Sequence, residues 1–306
     1  MAPIPPAGER LRRHFLAALC AAPWALAARA QAPRLRVVAS FSLLADMARE
    51  VGGDAVEVHA LVGPNADAHV FAPRPADVQR VAHADLVLVN GLGFEGWLQR
   101  LVQASGFKGP VAVLTQGLPA RRLGPAADPH AWQSLVAAQN YVRNLLAALV
   151  HLRPAQAAAL QARADDYSRR LAALDSHIRS RMATVPAEAR RIVTSHDAFG
   201  WFGDAYGVEI IAAQGWNTAS EATAADVARL IRQLKTQHVR ALFVENISDP
   251  RLMQRIAHEA GARVGGTLYS DALSPPGGEA DTYLRLMAHN ANTVLDALQP
   301  VQAPPR

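Results

Sequence analysis

PAQAAALQARADDYSRRLAALDSHIRSRMAT, residues 154–184, is a stretch rich in alanine, leucine, glutamine and arginine, with no glycine and no proline after its first residue. Proline fits the first turn of a helix and stops one when it lies beyond the end, so Pro154 and Pro186 frame a single helix of about 45 Å. Leu160, Tyr167, Leu171, Leu174 and Ile178 recur at helical spacing and give it one apolar face. A stiff rod in mid-chain divides the protein into two parts and limits how far they can swing.

Both flanks alternate short apolar runs with helical stretches, the pattern of a parallel sheet covered on its two faces. Ahead of the rod, strands are expected at Leu35–Ser40, Val56–Leu61, Leu86–Asn90 and Val111–Leu114, with helices at Ser42–Val51, Arg74–Ala84 and Phe94–Ala104. Beyond it, strands are expected at Arg191–Thr194, Val208–Ala212, Ala241–Val244 and Arg263–Thr267. The helices around these are Asp226–Thr236, Arg251–Ala260 and Glu279–Leu298. The expected fold class is therefore α/β, with parallel-sheet lobes at 31–153 and 186–299 joined by one long helix at 154–185. The proline-rich tail 300–306 should fray.

The first thirty residues are set apart from this scheme. Arg10, Arg12 and Arg13 precede a short apolar stretch, Phe15 to Ala28, and Ala28-Arg29-Ala30 forms a small-residue cleavage site, so residues 1–30 read as a secretory signal peptide. Arg12-Arg13-His14-Phe15-Leu16 also matches a twin-arginine signature in part. Leu19 stands where a small residue would precede a lipidated Cys20, which argues against a lipid anchor. The full chain carries +5; without residues 1–30, which hold four arginines and one glutamate, it carries +2. No basic stripe with interleaved aromatics remains to suggest nucleic-acid binding. Cys20 is the sole cysteine, so an exported chain could neither form disulfides nor ligate metal through thiolate.

Three histidines stand in turn-like contexts: His69 in NADAHVF, His130 in DPHAW and His196 in TSHDAFGWF; Asp271 in LYSDAL occupies a fourth. Successive separations of 61, 66 and 75 residues are far too wide for a small zinc module that folds around its ion. Only a large scaffold could bring the four together, at strand ends, where open parallel sheets place their ligands. Three imidazoles and one carboxylate suit tetrahedral Zn²⁺ and can accept Mn²⁺ or Fe²⁺. Four protein donors leave no open position for a reacting water, which favours holding the ion over chemistry with it.

In order along the chain, ASFSLLADMAREVGGD, the His69 segment, NGLGFEGWL, DPHAW, SHDAFGWF and SDALS resemble the zinc/manganese-type periplasmic solute-binding proteins of bacterial ABC importers. The resemblance implies that His69 and His130 from one lobe and His196 and Asp271 from the other hold a metal in the cleft between the lobes. It implies a periplasmic, monomeric carrier that delivers Zn²⁺ to a membrane permease and its ATPase. Manganese-preferring relatives commonly carry Glu at the place of His196, so the histidine points to zinc. Zinc-dedicated members often carry a long histidine-rich loop ahead of the second ligand; Ala120–Asp128 is short and has no histidine, so Mn²⁺ and Fe²⁺ stay open. His69-Val70-Phe71-Ala72-Pro73 also departs from a frequent Tyr-Glu-Pro ending.

Two other classes compete. A secreted zinc hydrolase would use the three histidines with a bound water and leave Asp271 free, but no H-E-x-x-H or G-x-S-x-G run is present. An adhesin would bind a partner independently of metal. Asp271 could otherwise be a plain turn or helix cap before Ala272-Leu273, the lesser reading, whereas turn-capping is the role expected of Asp128 before Pro129. Asp67 and Asp197 also neighbour the histidines. Glu245 in FVEN follows a strand end and could face the cleft, but reads at least as readily as a solvated loop carboxylate; Phe199, Trp201, Phe202 and Trp216 read as lobe packing, with shielding of the metal from water a secondary role for Phe199 and Trp201. His59, His83, His151, His177, His238, His258 and His289 receive no role.

Overall fold

A computed structural model describes residues 33–299 apart from Glu221, His238 and Arg240. The expected signal peptide with Cys20, like the tail 300–306, lies outside the described residues.

The first lobe begins with β1 (Leu35–Phe41), whose residues are buried on both faces, and passes without a linker into α1 (Ser42–Gly52). β2 (Val56–Val62), α2 (Pro75–Ala82), β3 (Leu86–Val89), α3 (Leu98–Ser105) and β4 (Val111–Val113) follow. α3 starts four residues later than Phe94, because the segment before it is bent through Gly91, Leu92 and Gly93, all at positive φ. A small antiparallel hairpin, β5 (Arg122–Leu123) and β6 (Ala126–Ala127), leads to α4 (Leu135–Leu152). α4 has no counterpart among the expected elements, although its signals are present. Ser134 Oγ accepts the Ala137 amide as its cap, and Ala138, Tyr141, Val142, Leu145 and Leu149 bury one face.

The connecting rod is shorter than its sequence suggests. Pro154–Gln156 makes a separate 3₁₀ turn, and α5 runs over 26 residues, Ala157–Met182, about 39 Å at 1.5 Å per residue. Leu160, Ala164, Tyr167, Leu171, Ile178 and Met182 are its buried stripe, packed on α1, α4 and the final helix. The second lobe then runs β7 (Arg191–Thr194), α6 (Gly200–Tyr206), β8 (Glu209–Ala212), α7 (Ala224–Gln237), β9 (Ala241–Glu245), α8 (Arg251–Ala260), β10 (Arg263–Leu268) and α9 (Tyr283–Leu298). α6 and α8 stop at Gly207 and Gly261, with φ of +69° and +68°, left-handed positions where a Cβ would be strained. α9 starts at Tyr283 instead of Glu279 because Thr282 caps it through the Arg285 amide.

Each lobe is a four-stranded, fully parallel sheet, ordered β2-β1-β3-β4 and β10-β9-β7-β8. In the first lobe the strand order reverses between β1 and β3, and in the second between β7 and β9. Crevices at such reversals are where open α/β sheets receive ligands. One apolar cluster runs through both lobes, from Phe41, Leu88 and Trp132 to Phe202, Phe243, Tyr283 and Val294, while a smaller one lies under α7 and α8. The lobes therefore share a core across their seam.

Candidate metal centre

All four residues singled out by sequence meet at that seam. The ligand-capable atoms of His69, His130, His196 and Asp271 lie within 4.8 Å of one another. His69 Nε2 is 3.4 Å from His130 Nε2 and 3.1 Å from Asp271 Oδ2, and His196 Nε2 is 3.3 Å from the same oxygen. All four side chains are fully buried. His196 follows the end of β7 by two residues, Asp271 the end of β10 by three and His130 the end of β6 by three, while His69 lies seven residues past β2.

A different carboxylate contacts each histidine. Asp128 Oδ1 accepts both the His130 amide, at 3.0 Å, and its Nδ1–H, at 2.8 Å. Asp128 is thus a turn cap, as expected, and also the group that turns the Nε2 of His130 inward. Asp67 meets His69 only at its backbone, Oδ1 accepting the His69 amide at 2.8 Å, while Oδ2 accepts the hydroxyl of Thr218 from the other lobe at 2.6 Å. Glu245 is not a solvated loop residue. It ends β9 at the strand reversal, only 2% exposed, with Oε1 accepting the His196 amide at 2.9 Å and Oε2 2.5 Å from Nδ1. Its signal in the sequence is its place as the last residue of a strand next to β7.

Aromatic rings close the site. Phe94 stands edge-on to His69 at 4.7 Å, Trp132 to His130 at 5.3 Å and Trp216 to His69 at 6.0 Å between centroids. Sequence reasoning named Phe199 and Trp201 as the secondary candidates for such shielding. Phe199 instead packs on Phe202, and Trp201 donates its indole N–H to the Asp128 carbonyl. Trp132 also donates to the Ser270 carbonyl at 2.8 Å, as does the Gln133 side chain, so the segment carrying His130 is tied to the one carrying Asp271.

The electrostatics are those of a site built for a cation. Burial works against an imidazolium at His196, but the charges of Glu245 and Asp271 outweigh it and raise the pKa well above the usual value. Burial likewise opposes ionisation of Asp271, yet His196 and His69 hold its carboxyl far below the ordinary range. Meanwhile His196 Nε2 and both oxygens of Asp271 are buried without a hydrogen-bond partner. Leaving such groups unpaired is costly, and a cation shared among them would satisfy all of them.

The chain matches the family model described as zinc-uptake complex component A, periplasmic (ZnuA), over residues 37–297. It is 32% identical to the manganese-binding lipoprotein MntA of Bacillus subtilis strain 168, over 94% of this chain and 100% of that protein. It is 32% identical to the iron-binding protein YfeA of Yersinia pestis, over 86% of each. The solved structure of the periplasmic zinc-binding protein TroA from Treponema pallidum superposes with a TM-score of 0.85 at 29% identity, covering 88% of this chain and 100% of that one. The expectation against a lipid anchor finds no support in these relatives, one of which is named a lipoprotein.

Proposed function

Since the chain belongs to the ZnuA family of periplasmic metal-binding proteins that serve ABC importers, transport proteins and not enzymes, we propose that its cargo is Zn²⁺, held by His69, His130, His196 and Asp271. The observation that carries this reading is the convergence of three buried imidazole nitrogens and one buried carboxylate within 4.8 Å, with no further carboxylate or thiolate in the cluster among the described residues. Three nitrogen donors and one oxygen donor match tetrahedral zinc, whereas Mn²⁺ favours a harder, more oxygen-rich set. On this reading, the lobes at 31–153 and 186–299 each supply two donors, the helix between them keeps the halves in register, and the loaded protein hands its ion to a permease driven by an ATPase.

Manganese or iron is the second reading, favoured by the names of MntA and YfeA and by the lack of histidine in Ala120–Asp128. The test is metal analysis of protein purified from its native compartment, followed by competition between Zn²⁺ and Mn²⁺. Zinc loading of recombinant protein alone is no test, because zinc displaces manganese at most nitrogen-rich sites. Native protein carrying manganese or iron would overturn the zinc assignment. His69→Ala, His130→Ala and His196→Ala should each weaken zinc binding by at least about tenfold. Unchanged affinity in any one would remove that residue from the donor set.

A further inference from the structure

Arg121 joins the two lobes behind the proposed donors. Arg121 and Asp128 face each other across the open end of the β5–β6 hairpin, where the Asp128 amide donates to the Arg121 carbonyl at 2.7 Å. From there the guanidinium reaches two carboxylates: Nη1 donates to Asp128 Oδ2 at 3.0 Å, and Nε to Asp204 Oδ2 at 2.8 Å on α6 of the second lobe. Asp128 is fully buried and its other oxygen is engaged by His130, so Arg121 is the cation that balances a carboxylate already committed to an imidazole. The guanidinium also rests on Gly200, the first residue of α6; a Cβ there would lie 2.3 Å from Arg121 Cζ and Nη1. α6 begins four residues after His196.

The geometry points to Arg121 as a positioning residue that sets how long the metal is retained, by fixing Asp128 on His130 while anchoring that pair to the helix that follows His196. This rests on the reading of His130 and His196 as donors. Without the guanidinium, Asp128 Oδ2 becomes a buried carboxylate oxygen that has lost its partner, and the carboxylate turns toward solvent. That movement ends the fixed aim of the His130 ring. Removing the cation also makes Asp128 a stronger acceptor for Nδ1–H, which by itself would strengthen the imidazole as a donor; the loss of orientation is the larger effect because Arg121 is the cation that holds that oxygen in place.

The test is zinc release from the loaded protein into excess chelator, measured with association rates and with melting of the metal-free protein. Arg121→Gln should release zinc about tenfold faster, as partners of metal-bound histidines do when lost, with an unchanged association rate. Arg121→Lys, which retains the charge but can reach only one carboxylate, should recover part of the difference. Asp204→Ala separates positioning from folding. Asp204 is two-thirds exposed and its loss leaves Asp128 paired, so the metal-free protein should melt close to wild type, yet the guanidinium loses its hold on α6 and release should again quicken. Wild-type release rates in both Arg121→Gln and Asp204→Ala would overturn the inference, as would faster release only in variants whose metal-free form melts lower. Failure of the wild-type protein to bind zinc would instead strike at the proposed function.

Discussion

Glu245 holds His196 from two directions, accepting its amide through Oε1 at 2.9 Å while Oε2 lies 2.5 Å from Nδ1. A strand-end carboxylate thereby holds the loop by a hydrogen bond and sets a charge against the Nδ1 side of the ring, while Nε2 lies 3.3 Å from Asp271 Oδ2. Glu245→Ala should cost about 10- to 100-fold in zinc affinity, measured by competition with a chromogenic chelator. Glu245→Gln keeps an acceptor for the amide but no charge facing Nδ1, so a smaller loss is expected. Wild-type affinity in the alanine variant would show that Glu245 has no part in the site.

The same contact decides what a change of donor would do. Replacing His196 by glutamate introduces a harder ligand, which by donor chemistry alone should favour Mn²⁺. In this protein the new carboxylate would face Glu245 inside a buried cavity, and two carboxylates cannot both stay ionised at such range. His196→Glu alone should therefore lose affinity for both ions, and adding Glu245→Gln should restore manganese binding in preference to zinc. Paired titrations with the two metals check this; manganese affinity already restored in the single variant would refute the repulsion argument.

Lobe movement on metal binding should be small. The shared apolar cluster crosses the seam, and direct hydrogen bonds cross it as well: the Leu273 amide to Ser42 Oγ at 3.0 Å, the Asn65 amide to the Leu273 carbonyl at 3.0 Å, and the Tyr283 amide to Asp46 at 2.8 Å. Opening a wide cleft would expose that core and break these bonds together, which argues for loop rearrangement with little rotation. X-ray scattering of the metal-free and zinc-loaded protein should give nearly superposable profiles. A large change in radius of gyration would show that the seam opens.

The two sheets and the four proposed donors are legible in the sequence for different reasons. Strands such as β1 and β9 are apolar runs buried on both faces, and helices α5 and α8 carry apolar stripes, so period alone locates them. His69, His130, His196 and Asp271 are legible as a set because each sits in its own turn motif. What stays hidden depends on pairing across the chain. Glu245 lies 49 residues from His196 and Arg121 83 from Asp204, and no local pattern reports that such groups meet. Phe94 reads as the start of a helix because the left-handed turn at Leu92 has no local signature in a leucine.

Asp46 offers a pH test at a residue outside the proposed donor set. It lies on α1, only 8% exposed, and Oδ2 accepts the Tyr283 amide at the first turn of α9, so a carboxylate from the first lobe helps seat the last helix. Burial, reinforced by the charge of Glu50, pushes its pKa up to about 6 despite the Tyr283 bond. An acid whose folded pKa is raised binds its proton more tightly in the folded state. Its contribution to stability is therefore full below the unfolded value, about 3.9, and is lost as pH rises through about 6. At pH 7.5 the ionised group should cost on the order of 3 kcal/mol. An asparagine side chain at this position could still accept the Tyr283 amide through its carbonyl oxygen while carrying no charge. Asp46→Asn should thus make the metal-free protein more stable than wild type at pH 7.5, by urea denaturation, with the gap shrinking at pH 4.5. A gap of equal size at both values would mean that ionisation of Asp46 is not what the fold resists, and that the substitution acts through packing alone.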